Sequence, residues 1–277
     1  MENLSVVRRQ RLKLRTRRMA RRVLPFVASL FLATPLAAPV AKSKAATTNH
    51  QARLVAAPVV APATLYNQRM HDLYRELGVE QQGLRYEVFE KAMTGYLNLE
   101  SEGKLSGKQL LTVVDFELPS TEKRLWVLDL AARQVKFHTL VAHGHNSGEN
   151  MATNFSNENE SNMSSLGFYV TQGEYQGKHG RSLKLQGLDE GFNTNAFSRA
   201  VVMHGADYVS EDFIRQYGRL GRSLGCPALP MDQKDAIIEA VEGQTCLFLN
   251  GADARYSSKY LNQDVAVNKL LGQTQMI

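Results

Sequence analysis

Between Leu65 and Tyr96 apolar residues recur every three or four positions in two separate stripes. Leu65, Met70, Leu73, Tyr74 and Leu77 form the first; Leu84, Val88, Phe89, Met93 and Tyr96 form the second. That spacing places each set on one helical face and predicts two helices that pack together. From Leu110 the pattern changes to short runs rich in β-branched and aromatic residues. Leu111–Phe116, Arg124–Leu130 and Val135–Val141 read as strands, the last two joined as a hairpin through residues 131–134. An Asn- and Ser-rich stretch from Gly144 to Ser165 reads as a loop able to line a site. Strands are expected again at 167–170, 183–185, 200–203 and 246–249, with a helix over 232–241. The expected class is α+β and mainly β: a β-rich domain over 105–252, preceded by a helical segment over 63–104. No element is read in the tail 253–277.

Charge redraws the ends of the chain. The formal net charge is +6, yet nine Arg or Lys residues fall within positions 1–22 against Glu2 alone, so the remainder is acidic. A nucleic-acid reading fails on that distribution. Val23–Ala41 carries no charge, and with the arginines before it and Ser43-Lys44-Ala45 after it the segment reads as a secretory signal over 1–45. An Ala-, Pro- and Thr-rich linker follows over 46–62. Export is the expectation, with membrane contact only through the leader.

The chemistry concentrates at Gly221-Arg222-Ser223-Leu224-Gly225-Cys226-Pro227, which lies downstream of His204-Gly205 at the end of an apolar strand. A cysteine reacts as its thiolate, and a histidine can take its proton. Arg219 and Arg222 flank the turn and favour a thiolate. A disulfide between Cys226 and Cys246 is the competing reading in an oxidising compartment. His143, His145 and His179 add a metal-site alternative, although their spacing fits no known zinc helix.

The stretch from about Asp115 to Pro230 resembles the L,D-transpeptidase catalytic domain family, in its murein L,D-transpeptidase-like branch. The segments that carry the resemblance are Val141-Ala142-His143-Gly144, Phe155-Ser156-Asn157, Ser164-Ser165-Leu166-Gly167, Tyr175 to Gly180, Ser182 to Leu188, His204-Gly205-Ala206 and Gly221 to Pro227. The resemblance implies an exported enzyme whose nucleophile Cys226 attacks a peptidoglycan stem peptide while His204 takes its proton. Backbone N–H groups at Leu224 and Gly225 are expected to hold the oxyanion. The thioester then passes to an amine, giving a 3–3 cross-link or anchoring a protein, or to water, giving a carboxypeptidase. No cofactor or metal is implied. Leu224 stands where better-known members have a second histidine, and Pro227-Ala228 replaces their apolar residue and arginine. Arg222, Ser223, Arg219, His143 and His179 are therefore nominated for substrate binding. A non-catalytic wall-binding module and a metal-dependent hydrolase remain the alternatives.

Overall fold

The computed structural model describes residues 61–274; the leader, and the linker before Ala61, lie outside them. Both stripes are helices: α1 spans Pro62–Glu76 and α2 spans Tyr86–Ser101. Pro62 sits in the first turn of α1, where its missing N–H costs no intrahelical hydrogen bond. Eight strands form one mixed sheet: β1 Leu110–Asp115, β2 Leu125–Asp129, β3 Gln134–Thr139, β4 Gly167–Gly177, β5 Gly180–Gly187, β6 Val202–Gly205, β7 Ala228–Leu229 and β8 Cys246–Asn250. Their order is β3-β2-β1-β8-β4-β5-β6-β7. Neighbours are antiparallel except β1 with β8 and β6 with β7. Helices α3 (Glu211–Tyr217), α4 (Lys234–Val241) and α5 (Gln263–Thr274) complete the fold.

The sheet is apolar on both faces, and alternation along each strand decides which core a residue joins. Leu111, Val113, Trp126, Leu128, Phe168, Cys246 and Phe248 face α1, α2 and α5. Val114, Leu125, Val127, Tyr169, Leu183, Leu185, Met203, Leu247 and Leu249 face the opposite way, against Ile237, Ile238 and Val241 of α4. Gly95 is where α2 comes closest to the sheet: a Cβ there would lie 2.0 Å from the Phe168 ring. No helix among the described residues is long and apolar enough to cross a membrane.

Three elements extend what the pattern predicts. β4 and β5 continue as a long hairpin whose turn carries Lys178-His179. β7 is two residues long and exists through its pairing with β6. The tail forms α5, which lays Ala266, Val267 and Leu270 on the same core as α2. Cys226 and Cys246 are both free thiols, so the disulfide reading is set aside; Cys246 is fully buried in β8.

Candidate active site

β6 ends at a cleft of about 410 Å³ whose lining includes Cys226, His204, His179, Lys178, Arg199, Tyr208 and Arg222. The turn carrying Cys226 is sewn to residues 142–145. Ser223 N–H donates to His143 O (2.9 Å), His145 N–H to Ser223 O (2.7 Å) and Ala142 N–H to Ala228 O (2.9 Å). Within the turn, Ser223 Oγ donates to Cys226 O (2.6 Å) and accepts from Gly225 N–H (3.1 Å). Gly225 has φ +122, and a Cβ on it would meet Met163 O at 2.8 Å. Only glycine fits that backbone at that distance.

The thiol rests against the backbone before β6. Its Sγ accepts from Val202 N–H (3.4 Å) and its S–H donates to Ala200 O (3.8 Å). Ala200 adopts the left-handed region at φ +54, which turns its carbonyl towards the thiol side of the cleft. Burial pushes the Cys226 thiol above its ordinary value; the Val202 N–H, Arg199 and Lys178 pull the other way. Cys226 is therefore a thiol at neutral pH. Iodoacetamide alkylation of Cys226 is expected to be slower at pH 7 than that of an exposed cysteine, and to rise through pH 9 and beyond. A fast plateau already reached below pH 7 would show a preformed thiolate instead.

His204 stands in β6 in register with Ser182 of β5 and Ala228 of β7. Its Nδ1–H donates to Gly205 O (2.9 Å), which fixes the tautomer and leaves Nε2 without a proton. Burial, and then the neighbouring His179 and Lys178, lower its pKa, so the ring is neutral at pH 7. The His179 ring stacks on it at 4.5 Å and 22°.

A neutral histidine with a bare nitrogen and a thiol share one cleft, carried on the sheet edge by a Gly-Cys turn, and the L,D-transpeptidase catalytic domain profile matches residues 80–250. The chain belongs to the L,D-transpeptidase catalytic domain family. No curated protein sequence matches the chain. Among solved structures, it is similar to an L,D-transpeptidase from Mycobacterium smegmatis at 11% identity, covering 52% of this chain and 59% of that one with a TM-score of 0.33. The helical cell shape determining protein of Campylobacter jejuni matches at 12% identity, 68% and 64% coverage and a TM-score of 0.36. An L,D-transpeptidase from Stackebrandtia nassauensis matches at 16% identity, 68% and 78% coverage and a TM-score of 0.31. The chain thus spans between half and two thirds of the length of the first solved structures it matches.

Against this geometry the nominated residues separate. Cys226, His204, His179, Arg222, Ser223 and Leu224 line the cleft together. His143 does not: it is fully buried, its Nδ1 accepting from Arg124 Nη2 (2.8 Å) and its Nε2 bonded to Gly148 O (3.3 Å). His143 is therefore not among the residues the structure brings into the cleft with Cys226. Arg219 is not part of the cleft lining; its Nε pairs with Glu149 Oε2 (2.9 Å). Arg222 reaches the cleft, but its Nη1 is held by Glu149 Oε1 (2.8 Å), His145 O (3.2 Å) and Gly148 O (3.1 Å). Gly225 N–H is committed to Ser223 Oγ, which removes it from the expected oxyanion donors. Among the described residues Leu224 N–H takes no protein acceptor, and Cys226 N–H faces its own Sγ. Arg199, Tyr208 and Ala200 are additions that no motif in the sequence marks. The described residues hold no cluster of three or more His, Cys, Asp or Glu side chains suited to a metal ion.

Proposed function

We propose that the protein is an exported, cysteine-dependent peptidoglycan L,D-transpeptidase acting on stem tetrapeptides. The observation that carries this reading is the neutral, tautomer-fixed His204 in the same cleft as the free thiol of Cys226. Attack begins as the thiol hydrogen turns from Ala200 O to His204 Nε2, and Sγ adds to the peptide carbonyl. The N–H groups of Cys226 and Leu224 receive the oxyanion; such a pair is worth roughly 3–4 kcal/mol per lost donor in related chemistry. The C–N bond breaks, the leaving amine takes the proton from His204, and a thioester remains on Cys226. An acceptor amine, on a second stem peptide or on a protein to be anchored, then gives its proton to His204 and attacks the thioester; the C–S bond breaks and the Cys226 thiolate takes that proton back from His204. Water in place of the amine yields the carboxypeptidase reaction at the same site. Export rests on the Arg-rich, apolar leader.

Intact-mass spectrometry after incubation with a disaccharide-tetrapeptide or a carbapenem tests the assignment. A single adduct that maps to Cys226 is expected, with D-Ala released from the tetrapeptide. An adduct on Cys246, or none with either reagent, would overturn it.

A further inference from the structure

The cleft contains three cations, and they differ in what already neutralises them. Arg222 is paired with the Glu149 carboxylate, which also holds Arg219 outside the lining. Arg199 and Lys178 take part in no ion pair among the described residues. Arg199 is half-buried, and its hydrogen bonds go only to neutral oxygens: Nη1 to Ser156 O (2.7 Å), Nη2 to Ser161 Oγ (3.0 Å) and Met163 O (2.7 Å). Three bonds fix the guanidinium in place without cancelling its charge. Lys178 is exposed on the turn between β4 and β5, beside the His179 ring that stacks on His204. The two cations therefore line the thiol's cleft from different elements, one from the segment before β6 and one from the hairpin tip.

For Arg199, partly desolvated and with no carboxylate in contact, an anionic ligand placed beside it recovers the cost of burial, and the exposed Lys178 adds a second positive charge to the same cleft. We propose that Lys178 and Arg199 form the cleft's carboxylate site, taking the C-terminal carboxylate of the peptide whose acyl group is transferred to Cys226. The inference rests on the acyl-transfer reading above and names which end of the donor is recognised. In a stem tetrapeptide the carboxylate belongs to the leaving residue, one residue from the carbonyl under attack, or roughly 3.3–3.6 Å of chain. Lys178 and Arg199 line the same cleft as the thiol, so a carboxylate this close to the scissile carbonyl lies in the cleft they charge. The arginines beside the nucleophile in sequence are unsuited because Glu149 already occupies them. The same two positive charges also act on the thiol, so the test must separate charge recognition from thiol activation.

The test compares an N-acetyl stem tetrapeptide with a free C-terminal D-Ala carboxylate and the same peptide as its carboxamide, using the full chain. The wild type is expected to favour the acid by roughly 10- to 100-fold in kcat/KM, the range of a charge-assisted pair. In Lys178→Gln and in Arg199→Gln the acid-to-amide ratio falls at least fivefold, through a higher KM for the acid. Lys178→Arg and Arg199→Lys restore it. Lys178 sits on an exposed turn, so its variant folds and keeps the proposal falsifiable even if Arg199→Gln loosens the loop at Ser156–Met163. A ratio in Lys178→Gln and Arg199→Gln equal to the wild type's, or a wild type that treats acid and amide alike, overturns the carboxylate site while leaving acyl transfer standing. Turnover of neither peptide, with no adduct on Cys226, removes the acyl-transfer reading and the site with it.

Discussion

Cys226→Ala is expected to lower acyl transfer by about 10⁴-fold or more while leaving the melting temperature within about 1 °C of the wild type. The first figure follows from losing the covalent intermediate itself: without Sγ the stem peptide has no nucleophile, and only binding and oxyanion contacts remain. The second follows from how little the thiol contributes to packing, since its hydrogen bonds at 3.4 and 3.8 Å are weak sulfur contacts. His204→Ala is expected to cost nearly as much, because a thiol raised by burial gives up its proton poorly without a base. The double variant should then be no worse than Cys226→Ala alone, since the two residues serve one step. Release of D-Ala from tetrapeptide and thermal unfolding of the same samples check both halves. Turnover retained in Cys226→Ala would sink the cysteine mechanism, and a large loss of stability would mean that the thiol has a structural duty instead.

The strands β1, β2 and β8 are legible in the sequence because both faces of the sheet are buried there, so each run is nearly continuously apolar, whereas the edge strand β3 shows through alternation of Val135 and Phe137 with polar residues. Cys226 and His204 stand out for a different reason: the proposed nucleophile and base need particular residue types, and each sits beside a glycine. What surrounds them is not. Arg199 lies in an irregular stretch between β5 and β6 without periodicity, and its place in the cleft comes from hydrogen bonds to residues some forty positions upstream. α5 is a short, largely polar helix whose apolar side is recognisable only once α2 is beside it. Gly225 is marked by the motif as a backbone donor, yet Ser223 two residues earlier takes its N–H. His143 misleads because a His-Gly pair at the edge of a polar loop has the look of an exposed site. Nothing within that segment reveals that an arginine nineteen positions earlier folds onto its ring.

That arginine carries the second large effect. Arg124 is fully buried, and its guanidinium donates to Leu118 O (2.7 Å), Val141 O (3.2 and 3.0 Å) and His143 Nδ1 (2.8 Å), lying 5.1 Å from the centre of the Phe116 ring. Burial pushes its pKa down to about 9, so it remains a cation at neutral pH. Arg124→Met fills much of the volume and removes a costly buried charge, but strands three acceptors at about 1–3 kcal/mol each. The net expectation is a loss of about 3–4 kcal/mol, seen as a melting temperature lower by roughly 10 °C for a domain of this size. Arg124→Lys should fall between, keeping the charge without the fork that serves three acceptors. The same contact sets the acid limit of the fold. Burial and then the Arg124 charge lower His143 from 6.5 to about 4, so the ring is neutral in the folded protein where it is protonated in the unfolded chain. Its contribution is complete above pH 6.5 and is lost as pH falls towards 4, on the order of 3 kcal/mol in total. Thermal unfolding across pH 4–7 should therefore steepen over that window in the wild type, and His143→Gln should flatten it. Because His143 O accepts from Ser223 N–H, loosening this pair also loosens the turn that presents Cys226, so the His143 and Arg124 variants should lose turnover even at temperatures where they stay folded. Full activity in folded Arg124→Met would show that the Cys226 turn keeps its shape without this buried support.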